Sequence, residues 1–372
     1  MEHRKAAGTS RAARRRRWWH LRQRWRMVGV SEVNPEHEFY HLTAMIKEGM
    51  HASIQTTVDT SGFYSVLAFQ GFEMQTFAAT VFAKQRRSLD ITEEEYMNSL
   101  CSDDCYLQFV SNSKSKADFF VTNDKRFFLK TQNKREVRFL LSNLQAYMTH
   151  LEKYPHSLMV KFLGYLYSTS VVSTLQKYFI VMQSVFYPDE RINIRYDIKG
   201  CEVGRWTNPD TGGKQIIKVL KDNNFEGHDI ALGQQKSWFA HQVKMDAAFL
   251  QELNVLDYSL LLAHQPLHRD ELEGKHSLIN YPAKETWTVS ELQEFHEHHR
   301  RLLPNCKNGI HVIDGPDSRY FVGIIDIFTV YGWKKRLENV WKTLRYPGRA
   351  FSTVSPTKYS HRFCQWIQEH SQ

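Results

Sequence analysis

The sequence predicts an α+β protein of two lobes, and three observations predict it. The chain has 372 residues, 42% hydrophobic and 13% aromatic, more than one small core needs. Its first half mixes segments of helical period with short apolar runs bounded by turn residues. Its second half reads as strand, turn, helix and strand in succession, with no internal repeat or sustained heptad.

Residues 1–28 are expected to form a basic disordered tail. The run "RAARRRRWWHLRQRWR" at 11–26 contains no acid, and polybasic ends commonly stay solvated. In a helix, Trp18, Leu21, Trp25 and Val28 would make one apolar stripe, an interfacial pattern. Nuclear targeting, nucleic-acid binding or an organelle transit sequence are the other meanings of so basic a stretch.

The globular part begins at about position 29. "LTAMIKEGMHASIQTTV" and "FEMQTFAATVFAKQRRSL" carry apolar residues at three-to-four spacing and predict two helices. "DITEEEYMNSL" predicts a third, capped by Asp90 or Thr92 with acids in its first turn. "KADFFVTNDKRFFLK" at 116–130 predicts a hairpin with Asn123 and Asp124 in its turn and Lys130 closing its second strand. Val137, Leu140, Leu141, Leu144 and Met148 mark a helix that ends before Pro155. The strands "LMVKFLGYLY" and "YFIVMQSVF" complete a first lobe over 29–187.

The second lobe spans 188–372. "INIRYDIKG" predicts a strand, "TNPDTGGK" a turn, and Phe239, Val243, Ala247 and Leu250 the buried face of a helix leading into "NVLDYSLLLAH". Residues 265–318 are charged, rich in histidine and broken by proline and glycine, and are expected to be an insertion. "YFVGIIDIFTVYG" then restores a strand.

The formal charge of +9 implies anionic partners. Five scattered cysteines, without the double pairs of a zinc site, suit a reducing compartment. No apolar run reaches the roughly 18 residues of a membrane span, so a cytoplasmic protein, free or peripheral to a membrane, is expected.

Two acids stand alone in aliphatic runs, Asp257 and Asp326. A carboxylate there is costly unless a cation, a metal or a donor compensates it. Each alone is explained by capping a turn or pairing with an arginine. Together with Lys130 they suggest phosphoryl transfer, in which one acid holds Mg²⁺, the other orients an attacking hydroxyl, and a lysine holds phosphate oxygens. The protein-kinase signatures GxGxxG, HRD and DFG are absent.

The motifs "FFLK", "KREVRFL", "YDIKG", "DNNF", "LDYSLLL", "FVGIIDIF" and "STVSPTKYSHRF" occur in that order. From about position 40 onward they make the chain similar to the phosphatidylinositol phosphate kinases, and most similar to those acting on phosphatidylinositol 4-phosphate. The resemblance implies a two-lobed lipid-kinase fold, with an N-terminal lobe of antiparallel sheet plus helices and a smaller C-terminal mixed lobe. It implies ATP and Mg²⁺ as cofactors and the 4,5-bisphosphate as product.

Residue by residue, the resemblance makes Lys130 the lysine on the ATP phosphates and Glu136 its carboxylate partner. Met182 and Val185 belong to the nucleotide site, Asp257 is the acid near the attacking hydroxyl, and Asp326 is the Mg²⁺ ligand. Lys199 stands near the lipid phosphate. Lys335 and Arg336 match a dibasic pair in a membrane-facing segment, where Lys334, Lys342, Arg345 and Arg349 alternate with Trp333, Trp341 and Tyr346. Glu338 matches a position that is acidic in users of the 4-phosphate. The implied partners are an anionic phosphoinositide membrane and a homodimer, or a heterodimer with related kinases; nucleic acid is not expected.

Three positions depart from the family pattern. "SNSKS" at 111–115 has no glycine where the family cradles phosphates, Cys201 replaces a serine, and Ala263 replaces a glycine. A scaffold that keeps the fold, binds membrane and pairs with active relatives is therefore the competing expectation. His296, His298, His299 and Cys306, and the "CSDDC" of 101–105, are expected to be surface and turn rather than metal ligands.

Overall fold

The computed structural model describes residues 30–59, 64–69, 72–109, 117–170, 176–187, 191–192, 194–209, 218–267 and 312–372. The basic tail, the "SNSKS" loop, and His296, His298, His299 and Cys306 lie outside the described residues.

The N-terminal lobe holds β1 (Val30–Glu32), α1 (Tyr40–Asp59), β2 (Tyr64–Phe69), β3 (Phe72–Phe77), α2 (Ala79–Ser88), α3 (Glu93–Cys101), β4 (Leu107–Phe109), β5 (Phe119–Val121), β6 (Phe127–Gln132), α4 (Lys134–Lys153), β7 (Phe162–Ser170) and β8 (Gln176–Gln183). Its strands form one antiparallel sheet in the order β1-β4-β5-β6-β8-β7-β3-β2.

The C-terminal lobe holds β9 (Ile194–Ile198), β10 (Leu220–Lys221), α5 (Lys236–Glu252), β11 (Ser259–Pro266), β12 (Val312–Asp314), β13 (Ser318–Ile325), α6 (Trp333–Arg345) and α7 (Pro356–Glu369). Its sheet runs β10-β9-β11-β13-β12 and is mixed, because β10 lies parallel to β9 while the other pairs are antiparallel. This is the expected α+β, two-lobed arrangement.

Period-two alternation gives the N-terminal sheet two buried faces. Phe127 and Leu129 pack with Ile46, Met50 and Tyr96 on one side. Ile180 and the partly buried Met182 face the other side, where Val137, Leu140 and Leu144 of α4 cover the sheet. Lys130, opposite Ile180 on β8, is an even position and shares this second face. That face continues into the core of the C-terminal lobe, which α5 and α7 build through Phe239, Val243, Tyr359 and Phe363.

Main-chain bonds also join the lobes. The Val160 N–H donates to the Ile324 carbonyl at 2.9 Å, and the Ile324 N–H donates to the Leu158 carbonyl at 2.7 Å.

Side chains cap the starts of α3 and α4. Thr92 caps α3 in a reciprocal box with Glu95, so Thr92 rather than Asp90 is the cap. Asn133 caps α4 in the same manner with Glu136.

Some local expectations are corrected. "FEMQTF" is strand β3, not helix; its buried Met74 and Thr76 alternate with half-buried Glu73 and Gln75. Helix begins only at Ala79, after the left-handed turn of Ala78 (φ 49°). Neither Asp257 nor Asp326 lies inside a strand: β11 begins after the first and β13 ends before the second. Both ends of the expected 265–318 insertion are ordered sheet, since β11 reaches Pro266 and β12 and β13 begin at Val312 and Ser318.

Candidate active site

Strand register builds the site. In the antiparallel β11–β13 pair, Ser259 stands opposite Ile325, so Asp257 just before one strand and Asp326 just after the other emerge at one end of the sheet. Both acids have left-handed backbones, φ 68° and 61°. For a non-glycine residue that is an uncommon conformation, of the kind that concentrates at functional sites.

Lys130 comes from the other lobe. Its Nζ donates to Asp326 Oδ1 at 2.6 Å across the cleft. The pairing implied with Glu136 is thus not the one formed. Glu136 sits at the third position of α4, where its carboxylate accepts the Asn133 N–H at 3.0 Å. Met182 and Val185 line the same side: Met182 is partly buried on the Lys130 face of β8, and Val185 is buried just beyond that strand.

Asp257 is held by a second lysine. Lys199 Nζ donates to Asp257 Oδ1 at 2.8 Å and to its carbonyl at 2.6 Å. Lys199 is delivered by the end of β9 and the tight turn at Gly200 (φ 64°), where a Cβ would meet Trp366, Arg362 and Phe363 at 3.2–3.3 Å. Asp222 fixes the turn by accepting the N–H of Lys199 at 2.8 Å and of Cys201 at 3.2 Å. Arg205 anchors Asp222 at 2.6 Å and Asp197 at 2.6 Å. Replacing the family's serine by Cys201 leaves these backbone bonds in place.

The charges set one another. Burial pushes the Asp326 carboxyl up, but the Lys130 ammonium and its hydrogen bond, with Lys199 beyond, outweigh it and hold Asp326 below the usual carboxylate value. Burial likewise acts against ionised Asp257, and Lys199, Lys335 and Ser352 reverse it. Lys199 also suffers from burial, yet Asp257, Asp197 and Asp326 raise it above an ordinary lysine. Both acids are therefore carboxylates at neutral pH. Asp257 accepts hydrogen bonds, the state needed to orient a hydroxyl.

The chemistry of Asp326 fits magnesium. Its side chain is 41% exposed, Oδ1 meets Lys130, and Oδ2 has no partner among the described residues. Magnesium in phosphoryl transfer needs one or two carboxylates and completes its shell with phosphates and water. Accordingly the described residues contain no cage of three or more His, Cys, Asp or Glu.

The basic segment is α6. Lys335 Nζ lies 3.0 Å from Glu338 and 3.7 Å from Asp257, reaching toward the acid. Arg336 turns the other way, over Tyr331. Glu338 is gripped by Lys342 at 2.7 Å and by the Thr353 hydroxyl at 2.7 Å. Burial alone would raise its carboxyl, but these bonds and Lys335 pull it down to about 2. No helix among the described residues is long and apolar enough to cross a membrane.

The motifs "DNNF" and "STVSPTKYSHRF" mark no individual site residue in the sequence. Asp222, Ser352 and Thr353 nevertheless bind the site from behind. Their signal was the motifs themselves, small polar residues beside otherwise apolar segments.

A strand lysine of one lobe thus faces paired acids of the other, in a chain whose family makes it phosphoinositide kinase-like. Residues 100–370 match the family described as Phosphatidylinositol-4-phosphate 5-Kinase, and the chain belongs to that family. It is 48% identical over 371 residues to phosphatidylinositol 4-phosphate 5-kinase-like protein 1 of Homo sapiens, covering 97% of this chain and 94% of that protein. The Mus musculus protein of the same name is 46% identical over 374 residues, 98% and 94% covered. Phosphatidylinositol 4-phosphate 5-kinase 5 of Arabidopsis thaliana is 27% identical over 332 residues, 80% of this chain and 42% of that relative.

Proposed function

We propose that the chain transfers the γ-phosphoryl group of Mg·ATP to the 5-hydroxyl of phosphatidylinositol 4-phosphate on an anionic, cytoplasmic membrane face. The observation that carries this reading is the cross-lobe contact of Lys130 with Asp326, beside Asp257 held by Lys199. Phosphoryl transfer asks a protein chiefly for positioning and charge neutralisation, and this quartet supplies both.

In that reaction the 5-hydroxyl oxygen bonds to the γ-phosphorus, the bond to the β–γ bridging oxygen breaks, and ADP departs. The hydroxyl proton passes toward Asp257 and then to solvent. Lys130 holds ATP phosphates, with Met182 and Val185 lining the nucleotide side. Asp326 is the residue to hold magnesium, whose contribution is to neutralise phosphate charge. Lys199, Lys335 and Arg336 meet lipid phosphate, and Glu338 favours the 4-phosphate isomer.

A specific observation supports a second reading. The stretch "SNSKS" at 111–115 offers lysine and serine where the family has glycine, and side chains in place of glycine hinder close backbone approach to phosphate. In this alternative the chain is a membrane-bound scaffold that pairs with active phosphatidylinositol 4-phosphate 5-kinases.

Radiolabel transfer from Mg·ATP to phosphatidylinositol 4-phosphate vesicles decides between them. The kinase reading expects turnover in the wild type and a loss of about a thousandfold in Asp326→Asn and Lys130→Ala. Equal background signals in all three would leave the scaffold.

A further inference from the structure

Helix α6 presents a problem of support. None of its residues is buried. Trp333, Leu337, Val340, Trp341 and Leu344 form its apolar stripe, yet each is 56–79% exposed. Apolar packing therefore does not set the angle of the helix, although its lysines must stand at a defined place beside Asp257.

A polar latch supplies what packing does not. Thr353 is fully buried and turns its hydroxyl and its carbonyl to α6. Its hydroxyl donates to Glu338 at 2.7 Å and accepts from Lys342 at 2.9 Å, and its carbonyl accepts the Asn339 side-chain N–H at 2.8 Å. Glu338 in turn holds Lys335 at 3.0 Å. The preceding residue, Ser352, turns its hydroxyl to favour the Asp257 carboxylate.

The base of the latch is itself fixed. The Ala350 carbonyl accepts the N–H groups of Glu202 and Val203, and the Phe351 carbonyl accepts Arg362 at 2.9 Å.

We propose that Thr353 is a positioning residue that locks α6 to the site, so that Lys335 meets the phosphate of a membrane inositol lipid beside Asp257. This rests on the lipid-kinase reading and adds to it the element that registers lipid against acid. Removing the hydroxyl detaches the Glu338–Lys342 pair from residue 353, whereas the nucleotide side, on β6 and β8, keeps its geometry.

The test compares wild type, Thr353→Val, Thr353→Ser and Lys342→Met, the last on an exposed helix where folding is not at risk. Amide hydrogen exchange over 333–345 is read with KM for phosphatidylinositol 4-phosphate vesicles and KM for ATP. Thr353→Val and Lys342→Met are expected to speed that exchange about tenfold and to raise the lipid KM about tenfold, with ATP KM within about twofold. Thr353→Ser should return near wild type on all three. Unchanged exchange, equal movement of both KM values, or a serine variant as impaired as valine would overturn the proposal. A wild type without turnover sinks the kinase reading alone. Binding to phosphatidylcholine vesicles containing phosphatidylinositol 4-phosphate then replaces KM, and unchanged affinity in both Thr353→Val and Lys342→Met overturns the latch.

Discussion

Lys199 and Asp257 show how much of the site is electrostatic repair. Their side chains are 13% and 23% exposed, too withdrawn for water to satisfy either charge alone. Removing one partner of such a pair leaves the other desolvated, which costs more than the pair contributes when intact. Lys199→Met is therefore expected to lower stability by about 2 kcal/mol, with Lys199→Met/Asp257→Leu regaining most of it. Urea unfolding checks this, and a double variant no better than the single would refute it. The pH dependence has a definite sign. With its pKa depressed in the native state, Asp257 contributes stability that is whole above the ordinary carboxylate pKa and lost as pH falls through its lowered value. The wild type should accordingly lose on acidification a contribution that Asp257→Asn lacks.

At the scale of elements, the sequence was legible where one periodicity governed a whole segment. The α4 stripe could be read directly, and the structure adds its Asn133 cap. It misled at "FEMQTFAATVF", where a six-residue strand and a helix abut and their apolar residues merge into apparent helical spacing. The two acids could be singled out as anomalies, but their proximity depends on the β11–β13 register, a non-local property. The Lys130–Asp326 pairing was equally hidden, because the resemblance pointed to Glu136 and only the fold commits that residue to a helix cap. For α6, sequence gave the charges and rings, and structure adds that the apolar stripe is uncovered. Basic residues near an anionic surface contribute about 1 kcal/mol each. Lys335→Glu/Arg336→Glu is thus expected to weaken binding to phosphatidylinositol 4-phosphate vesicles by at least about tenfold, with the wild type's affinity falling steeply in salt. Sedimentation with vesicles measures it; unchanged binding would remove α6 from the membrane.

At the scale of the molecule, a polar seam that bears on the site joins the lobes. Residues 157–162 leave the N-terminal lobe to bond Ile324, close before Asp326. Asp246 of α5 holds that segment by accepting the Leu158 N–H at 2.7 Å and pairing with His150 of α4 at 2.8 Å. Within the seam Lys161 is buried, its ammonium donating to the carbonyls of Ser157 and Met159, the latter at 3.0 Å. Burial lowers its pKa to about 8, against a partial rise from Asp246. The native lysine therefore releases its proton before the unfolded one does. Between about pH 8 and the ordinary lysine value near 10.4, the unfolded chain binds more protons, and stability rises by up to about 1.4 kcal/mol per pH unit from this group. Tyrosines and cysteines also titrate there, but they are common to wild type and Lys161→Met and cancel in the difference. Urea unfolding of both at pH 7, 8 and 9 should show wild type gaining on the variant above pH 8, with no relative change below it. Parallel stabilities across that range would mean that Lys161 keeps an ordinary pKa. The seam would then hold the lobes without the charge penalty that its burial implies.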